Sequence, residues 1–185
     1  MGLWVDTILD REVDTLEQAQ EAAARIVAWL VDRRIVEDRQ CKGCVGDGPC
    51  YAAGPNIRQV GQSASGDTTA SDTETYHAAM RVVTGREFMF ALSGSFDKIA
   101  CPRCCKEVDW AAYFDAGSAW LEGGPDSMTC PDCGASSRLR EWEHAESGFV
   151  MLGFEFFGCP EFSPDFIAEF SRRLGHRITY YNEKR

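Results

Sequence analysis

Apolar residues recur every three or four positions between residues 16 and 34, and polar residues occupy the positions between them. This spacing places the apolar side chains on one face of an α-helix. Thr15 precedes the segment and Gln18 follows it three residues later, which is the spacing of a capping box. We therefore predict a helix over about residues 16–34 that packs one face against a core.

The C-terminal third contains a second set of local signals. A continuous apolar run over residues 149–157 predicts a central strand with both faces covered. Ser163 and Pro164 are typical of a helix start, Gly175 is typical of a helix end, and residues 176–181 then predict another strand. Together with the first helix, this order predicts an α+β fold, a mixed sheet with two main helices.

The middle of the chain changes in composition. Residues 61–75 contain almost no large apolar side chain, so this segment cannot bury enough surface to offset its ordering entropy. We expect an exposed linker there. Beyond it, residues 79–83 and 87–92 have the composition of strands, and residues 83–86 could form the turn of a hairpin between them.

Two copies of Cys-Pro-x-Cys follow. Zn²⁺ takes four thiolate ligands at about 2.3 Å in a tetrahedral arrangement, and each short Cys-x-x-Cys turn supplies two of them. Gly134 directly follows the second pair and can adopt the positive φ at which such a turn closes. We predict one structural zinc ion, and the alternative is four unrelated buried cysteines. The candidate ligands are Cys101, Cys104, Cys130 and Cys133.

This zinc site divides the chain into three parts. Residues 1–98 form the N-terminal part of the α+β domain, residues 99–142 form an inserted Cys₄ zinc ribbon, and residues 143–185 complete the core with the strand, helix and strand described above. A Cys₄ site has no open coordination position, so we expect the ion to stabilise structure without catalysing a reaction.

Three further cysteines, Cys41, Cys44 and Cys50, lie in a segment rich in Gly and Pro, residues 41–57, which predicts an irregular loop. Their spacing raises the alternative of a second metal site. However, a fourth ligand is missing nearby, and His77 or Cys159 could complete the site only through a long-range contact. We expect free thiols in this loop rather than a second zinc ion.

The nine cysteines are an odd number, and four of them are grouped as metal pairs, which favours a reducing compartment over a disulfide scaffold. No stretch approaches the roughly 20 apolar residues of a membrane helix. The N-terminus also lacks the basic and then apolar layout of a secretory signal. We therefore expect a cytoplasmic protein that does not interact with membranes.

The charge of the chain bears on its partners. The formal net charge is −10, and residues 101–160 are the most acidic segment, with four basic and ten acidic residues. A nucleic-acid-binding ribbon should instead present clustered Lys and Arg, so we do not expect nucleic acid as a partner. The sign of the charge points to a basic protein partner, or serves only solubility.

Several segments together resemble a family of uncharacterised bacterial proteins that contain a zinc ribbon, are found mainly in pseudomonads and are often mislabelled as sugar ABC transporter ATPases. The segments are MGLWVDTILDRE, GPN, VVTGRE, CPRC with CPDC, LGFEFFGCP and FIAEFSRRLGHRI. The resemblance covers most of the chain and implies kinship without an activity. The chain has no Gly-x-x-x-x-Gly-Lys-Ser/Thr phosphate loop to support the ATPase label, and it departs from the family at Cys159, where an aromatic residue is expected.

Motifs for catalysis are missing from the sequence. His77, His144 and His176 are scattered, and none belongs to a recognised hydrolase or metalloprotease motif. Our hypothesis is a non-catalytic zinc-binding protein that binds a protein partner, for example an immunity protein that neutralises a basic secreted toxin. The alternatives are a nucleic-acid or transcription-associated ribbon and an enzyme with an unrecognised site.

Overall fold

The structure is a computed structural model that describes residues 3–40, 49–62, 78–92, 99–142 and 146–185. None of the helices in these ranges is long and apolar enough to cross a membrane. Two 3₁₀ turns, Ile57–Val60 and Leu139–Glu141, join the regular elements. In chain order these are β1 Trp4–Asp10, α1 Leu16–Asp32, β2 Val36–Gln40, β3 Cys50–Ala53, β4 Ala79–Phe90, β5 Ile99–Ala100, β6 Glu107–Val108, α2 Trp110–Leu121, β7 Ser127–Thr129, β8 Ser136–Arg138, β9 Ser147–Phe157, α3 Pro164–Leu174 and β10 Ile178–Lys184.

A six-stranded sheet in the order β10-β1-β9-β4-β3-β2 forms the centre of the fold. The α+β class is confirmed, but the prediction of a mixed sheet is wrong, because every pair of neighbouring strands in this sheet is antiparallel. The strand, helix and strand of β9, α3 and β10 do produce two parallel strands. However, β1 lies between them and runs antiparallel to both.

Helices α1 and α3 lie side by side on one face of the sheet. Trp29 of α1 stacks on Phe166 of α3, with ring centroids 5.7 Å apart. Phe154 of the sheet meets Phe170 of α3 edge to face at 5.1 Å. These side chains belong to the largest buried apolar cluster of the described residues, so this interface is the main core. The helix starts follow the prediction, since Thr15 forms a complete capping box with Gln18.

The predicted hairpin over residues 79–92 is wrong. These residues form the single long strand β4, and both halves of β4 pair with β9. The register shifts between Thr84 and Glu87, where Gly85 has a φ of 116°. A glycine within a strand can mark a β-bulge as well as a turn, and here the chain continues through the bulge.

The structure also corrects the predictions around residues 41–57. Residues 50–53 form strand β3 rather than loop, because their backbone groups pair with β2 and β4. Cys50 is disulfide-bonded, so the free-thiol expectation is wrong for this residue. Cys41 and Cys44 lie outside the described residues, as does most of the predicted linker over residues 61–75.

The segment between β4 and β9 contains a separate unit, which we call the cysteine module, residues 99–142. It consists of the two-stranded sheets β5-β6 and β7-β8 with helix α2 between them in sequence. Its own buried cluster includes Tyr113, Trp120 and Trp142, together with Phe149 from strand β9. The module therefore packs against the large sheet through shared aromatic side chains. The interpretation of this unit as a zinc ribbon inserted into the α+β core stays a prediction.

Candidate metal centre

Two matching turns present the four predicted cysteine ligands. The first pair lies between β5 and β6, and the second lies between β7 and β8. In each turn the residue after the second cysteine donates its N–H to the carbonyl of the first. These hydrogen bonds run from Cys105 to Cys101 at 2.9 Å and from Gly134 to Cys130 at 3.0 Å. Cys105 and Gly134 both have positive φ, 59° and 70°, so the two turns share one conformation.

The four sulfur atoms converge on one point. Cys101 Sγ lies 3.9 Å from Cys133 Sγ, and Cys104 Sγ lies 3.8 Å from Cys130 Sγ. All four lie within 4.8 Å of one another. Four thiolates at about 2.3 Å from a tetrahedral ion would be about 3.8 Å apart, so these separations fit such an ion. The group formed by Cys101, Cys104, Cys130 and Cys133 can hold a metal ion, as the two Cys-Pro-x-Cys motifs predict.

The ionisation of the thiols differs between neighbouring ligands. Burial opposes ionisation of Cys101, but backbone N–H groups of Cys104 and Arg103 outweigh it and lower the Cys101 pKa to about 7. A backbone hydrogen bond from Lys106 favours the Cys104 thiolate, yet burial and the adjacent thiols together raise the pKa of Cys104 to about 12. Four thiolates so close together repel one another unless a cation lies between them.

Each of the four basic side chains within the described module pairs with a carboxylate. Arg138 and Arg140 both contact Asp14 in the segment between β1 and α1, with a distance of 2.7 Å from the Arg138 Nη1 to the Asp14 Oδ1. The other two pairs are Arg103 with Glu141 at 4.0 Å and Lys106 with Asp132 at 3.2 Å. The four cations near the cysteine turns are therefore neutralised within the chain and do not form a basic patch.

Arginine side chains also fix the module to the sheet. Arg140 donates from Nη1 to the carbonyls of Glu12 and Val13, at 2.9 and 3.1 Å. From the sheet side, Arg86 donates to the carbonyl of Trp120 and, at 2.8 Å, to that of Gly124. Arg140 thus connects the module to the segment before α1, and Arg86 connects strand β4 to the end of α2. These contacts fix the position of the module relative to the sheet and to the start of α1.

Helix α2 packs closely against strand β9 where Gly117 meets the ring of Phe149. A Cβ atom on Gly117 would lie 1.8 Å from the Phe149 ring, so only a glycine allows α2 to approach strand β9 this closely. The sequence gives no sign of this role, because the ring and the glycine are far apart along the chain.

The other residues singled out from the sequence do not join the metal group. Cys159 is buried, and its sulfur contacts the carbonyl of Phe157 at 3.5 Å. Burial, together with the nearby charge of Asp6, raises the pKa of the Cys159 thiol to about 12, which keeps it protonated. His77 and His144 lie outside the described residues.

His176 pairs with a buried carboxylate on β1. Its Nδ1 lies 2.7 Å from Asp10 Oδ2, and the other oxygen of Asp10 accepts backbone hydrogen bonds from Glu12 and Val13, each 2.7 Å long. Asp10 thereby joins the loop before α1 to the loop before β10. The pair of His176 and Asp10 holds these two loops together. The sequence contains one sign of it, because Asp10 lies on the same face of the predicted strand as an apolar residue.

Sequence reasoning also missed a buried ionic network on the sheet face opposite the helices. Glu155 of β9 accepts from Arg81 at 2.8 Å and from Arg185 at 2.9 Å. Arg185 also contacts Glu183 at 2.6 Å. Glu155 and Glu183 are 5% and 3% exposed, so their carboxylates are stabilised by the paired arginines in place of water.

Comparisons of this chain with protein-family models, with curated proteins and with solved structures give no match. The function is therefore argued from the geometry of the cysteine group and from the distribution of charge.

Proposed function

We propose that this chain is a non-catalytic zinc-binding protein in which the cysteine module is a zinc ribbon. The observation that supports the proposal is the group of four sulfur atoms within 4.8 Å of one another, supplied by two turns of the same conformation. Thiolate ligands in a tetrahedral arrangement favour zinc, or iron in an iron–sulfur protein. Zinc fits a module with four protein ligands and no open position, where the ion stabilises the fold.

Metal analysis tests this proposal directly. Protein purified without added metal should contain about one zinc per chain, and Cys101→Ser or Cys130→Ser should lose the metal and unfold at a lower temperature. Cys105→Ser is the matched control, because Cys105 is the exposed thiol next to the first turn and is not one of the four ligands. Metal-free protein that unfolds at the same temperature as the metal-loaded protein would refute a structural ion.

We further propose that the function is binding of a basic protein partner in the cytoplasm. The net charge of −10 supports this proposal, because an excess of acidic side chains accelerates association with a basic surface. The pairing of the four basic side chains of the module with carboxylates argues against nucleic acid, since phosphate binding requires cations that are free to meet it.

Neutralisation of a secreted antibacterial toxin is the use we propose for this binding. An immunity protein acts by occupying the site of its toxin, so it needs a rigid surface of complementary charge and no catalytic residues. The metal-braced module and its anchoring to the sheet would supply such rigidity.

Affinity capture provides the test. Tagged protein should retain one basic protein in stoichiometric amount, and the complex should weaken as salt rises, because salt screens charge attraction. Expression of this chain should protect cells against that partner if the partner is a toxin. A search that recovers only acidic or sub-stoichiometric proteins would contradict the proposal.

A further inference from the structure

The helix-bearing face of the large sheet is only partly covered. A helix with its side chains is about 10 Å wide and neighbouring strands are about 4.8 Å apart, so each helix covers about two strands. Helices α1 and α3 can therefore cover about four of the six strands. Because α3 packs on one side of α1, the uncovered strip lies on the other side, above β3 and β2.

A groove of about 700 Å³ occupies this strip. Its helix wall consists of α1 residues in two adjacent rows of helical spacing, and its floor comes from β2, β3 and β4. The lining is mostly apolar, and the α1 side chains in it are short, which allows another backbone to come close. The lining residues that the argument uses are Ala24, Val27, Ala28, Val31, Tyr51 and Val82.

Most of this apolar surface meets solvent. Ala24 and Ala28 are exposed, while Val27, Val31 and Tyr51 are half-buried. Small side chains on one helix favour an interaxial distance near the lower end of the 8 to 10 Å range for packed helices. The helix wall of the groove therefore allows another helix to pack closely against α1.

Charge further specifies the occupant. Among the described residues that line the groove, the two charged ones, Asp32 and Asp38, are both acidic and exposed. Asp32 is at the end of α1 and Asp38 is on β2, so one carboxylate belongs to the helix wall and the other to the floor of the groove. A helix that lies in the groove would be favoured by Lys or Arg beside its apolar stripe.

The chain has no segment of its own with this pattern outside the described residues. Residues 41–48 read CKGCVGDG, with a single large aliphatic side chain, and residues 63–77 contain one aromatic residue among Ser, Thr, Ala, Asp and Glu. Neither composition provides an amphipathic helix with an apolar face. The apolar lining and the acidic rim of the groove instead fit a basic amphipathic helix of another molecule.

We infer that the groove beside α1 is the docking site for an amphipathic, basic α-helix of the partner protein. This inference rests on the proposed function and names the surface that carries it. The partner helix lies along α1, buries its apolar stripe against Ala24, Ala28 and Tyr51, and places cations near Asp32 and Asp38. This is the helix-in-groove mode of recognition.

A model peptide tests the groove before the partner is known. The probe is a fluorescein-labelled amphipathic peptide of Leu and Lys, about five helical turns long, titrated with the full chain while fluorescence anisotropy is followed. We expect binding at physiological salt with a gain in peptide helicity. A peptide with the same pattern of Leu and Glu should bind at least about tenfold more weakly.

Substitutions separate groove binding from general attraction to an acidic protein. The double variant Ala24→Gln with Ala28→Gln fills the groove with polar side chains without changing charge, and should weaken Leu/Lys peptide binding by about tenfold or more. The matched control, Ala111→Gln with Ala112→Gln, makes the same change on exposed positions of α2 and should leave affinity within about twofold. Asp32→Asn with Asp38→Asn should weaken binding by about three- to tenfold.

Three results would overturn the inference. Equal affinity of the Ala24→Gln, Ala28→Gln variant and the wild-type chain would place the peptide elsewhere. Equal affinity for the Leu/Glu peptide would remove the charge argument. A wild-type dimer that becomes monomeric in the double variant would make a second copy of this chain the occupant.

The same variants distinguish this inference from the proposed function. If a basic partner is captured and its affinity is unchanged in the Ala24→Gln, Ala28→Gln variant, the partner binds another surface and only the groove is wrong. If the peptide depends on the groove but every captured protein is acidic or sub-stoichiometric, the groove stands and the proposed function fails.

Discussion

Asp6 should make the stability of this protein depend on pH in a specific direction. The side chain is fully buried on the helix-facing side of β1, and its Oδ1 accepts a hydrogen bond from the Tyr180 hydroxyl at 2.5 Å. Its Oδ2 is buried and has no hydrogen-bond partner among the described residues. Burial raises the pKa of this carboxyl from 3.8 to about 6, although the Tyr180 hydrogen bond opposes the rise.

The size of the effect follows from linkage between protonation and folding. A carboxyl whose pKa is higher in the folded state binds its proton more tightly there, so folding is favoured at low pH. As pH rises from about 4 to about 6, the unfolded state ionises this carboxyl while the folded state still holds the proton, so the folded state loses stability relative to the unfolded state. A rise of about two pH units in pKa corresponds to a loss of up to about 3 kcal/mol.

Replacement of Asp6 by Asn removes this titration and keeps the size of the side chain. The free energy of unfolding of Asp6→Asn, relative to wild type, should rise by up to about 3 kcal/mol between pH about 4 and pH about 7. Urea unfolding at equal metal content, followed by tryptophan fluorescence, measures this difference. The comparison between variants at each pH removes the effects of other titrating groups and of metal loss, which are common to both proteins.

The control is Asp115→Asn, which makes the same chemical change at an exposed position on α2. A difference between Asp6→Asn and wild type that stays constant across this pH range would refute the reasoning, whatever its size. A difference that falls with rising pH would show that the buried carboxylate is stabilised in the folded state and that a cation or donor faces it.

Three further predictions concern backbone and packing. Gly117→Ala should lower the free energy of unfolding by about 1 to 3 kcal/mol, because the new methyl group collides with the Phe149 ring. A thermal unfolding midpoint equal to that of the wild-type protein would contradict this packing. Cys105→Gly should raise the free energy of unfolding by up to about 1 kcal/mol and Gly134→Ala should lower it by about 1 kcal/mol, because both positions have positive φ, which glycine adopts without strain. Urea unfolding of the metal-loaded proteins measures both changes, and equal changes in the two variants would refute the argument from φ. Glu155→Gln should cost about 1.5 to 3 kcal/mol, because it removes the buried carboxylate that Arg81 and Arg185 share, while each guanidinium keeps a second carboxylate, Glu87 or Glu183. A loss below about 1 kcal/mol would show that the second carboxylates and water solvate both cations.

The elements that could be predicted from the sequence are those with local signals. Helices α1 and α3 have apolar stripes and capping residues within their own segments, and strand β9 is a continuous apolar run. The two cysteine turns were also predictable, because each is defined by four adjacent residues. That the two turns lie together could be predicted because both supply thiolate groups of the kind that one metal ion can bind.

The remaining elements depend on contacts between distant segments. Strand β2 has the sequence VEDRQ, which is polar because it lies at the edge of the sheet and has one neighbour only. Strand β4 contains Gly85 with positive φ, and a glycine of this kind occurs both in hairpin turns and in β-bulges. The pairing of β4 with β9 decides between them, and this pairing is invisible in either segment alone.

Charged residues in the core were missed for a related reason. A sequence shows that Asp6, Asp10 and Glu155 are acidic, and acidic residues are mostly exposed. Their burial depends on partners such as His176 and Arg185, which lie far away along the chain. Only the folded sheet brings each carboxylate to its partner.

The site of insertion of the cysteine module has a consequence for the order of folding. Phe90 and Ser147 are paired across β4 and β9, so all the intervening chain forms a single closed loop between adjacent strands at the centre of the sheet. An unstructured loop of this length makes the first contact between the strands entropically costly. A module already held by the proposed metal ion would bring the two strand ends together and lower that cost. The rate at which β4 and β9 pair during folding would then depend on the availability of the metal, and so would the stability of the pair once it has formed.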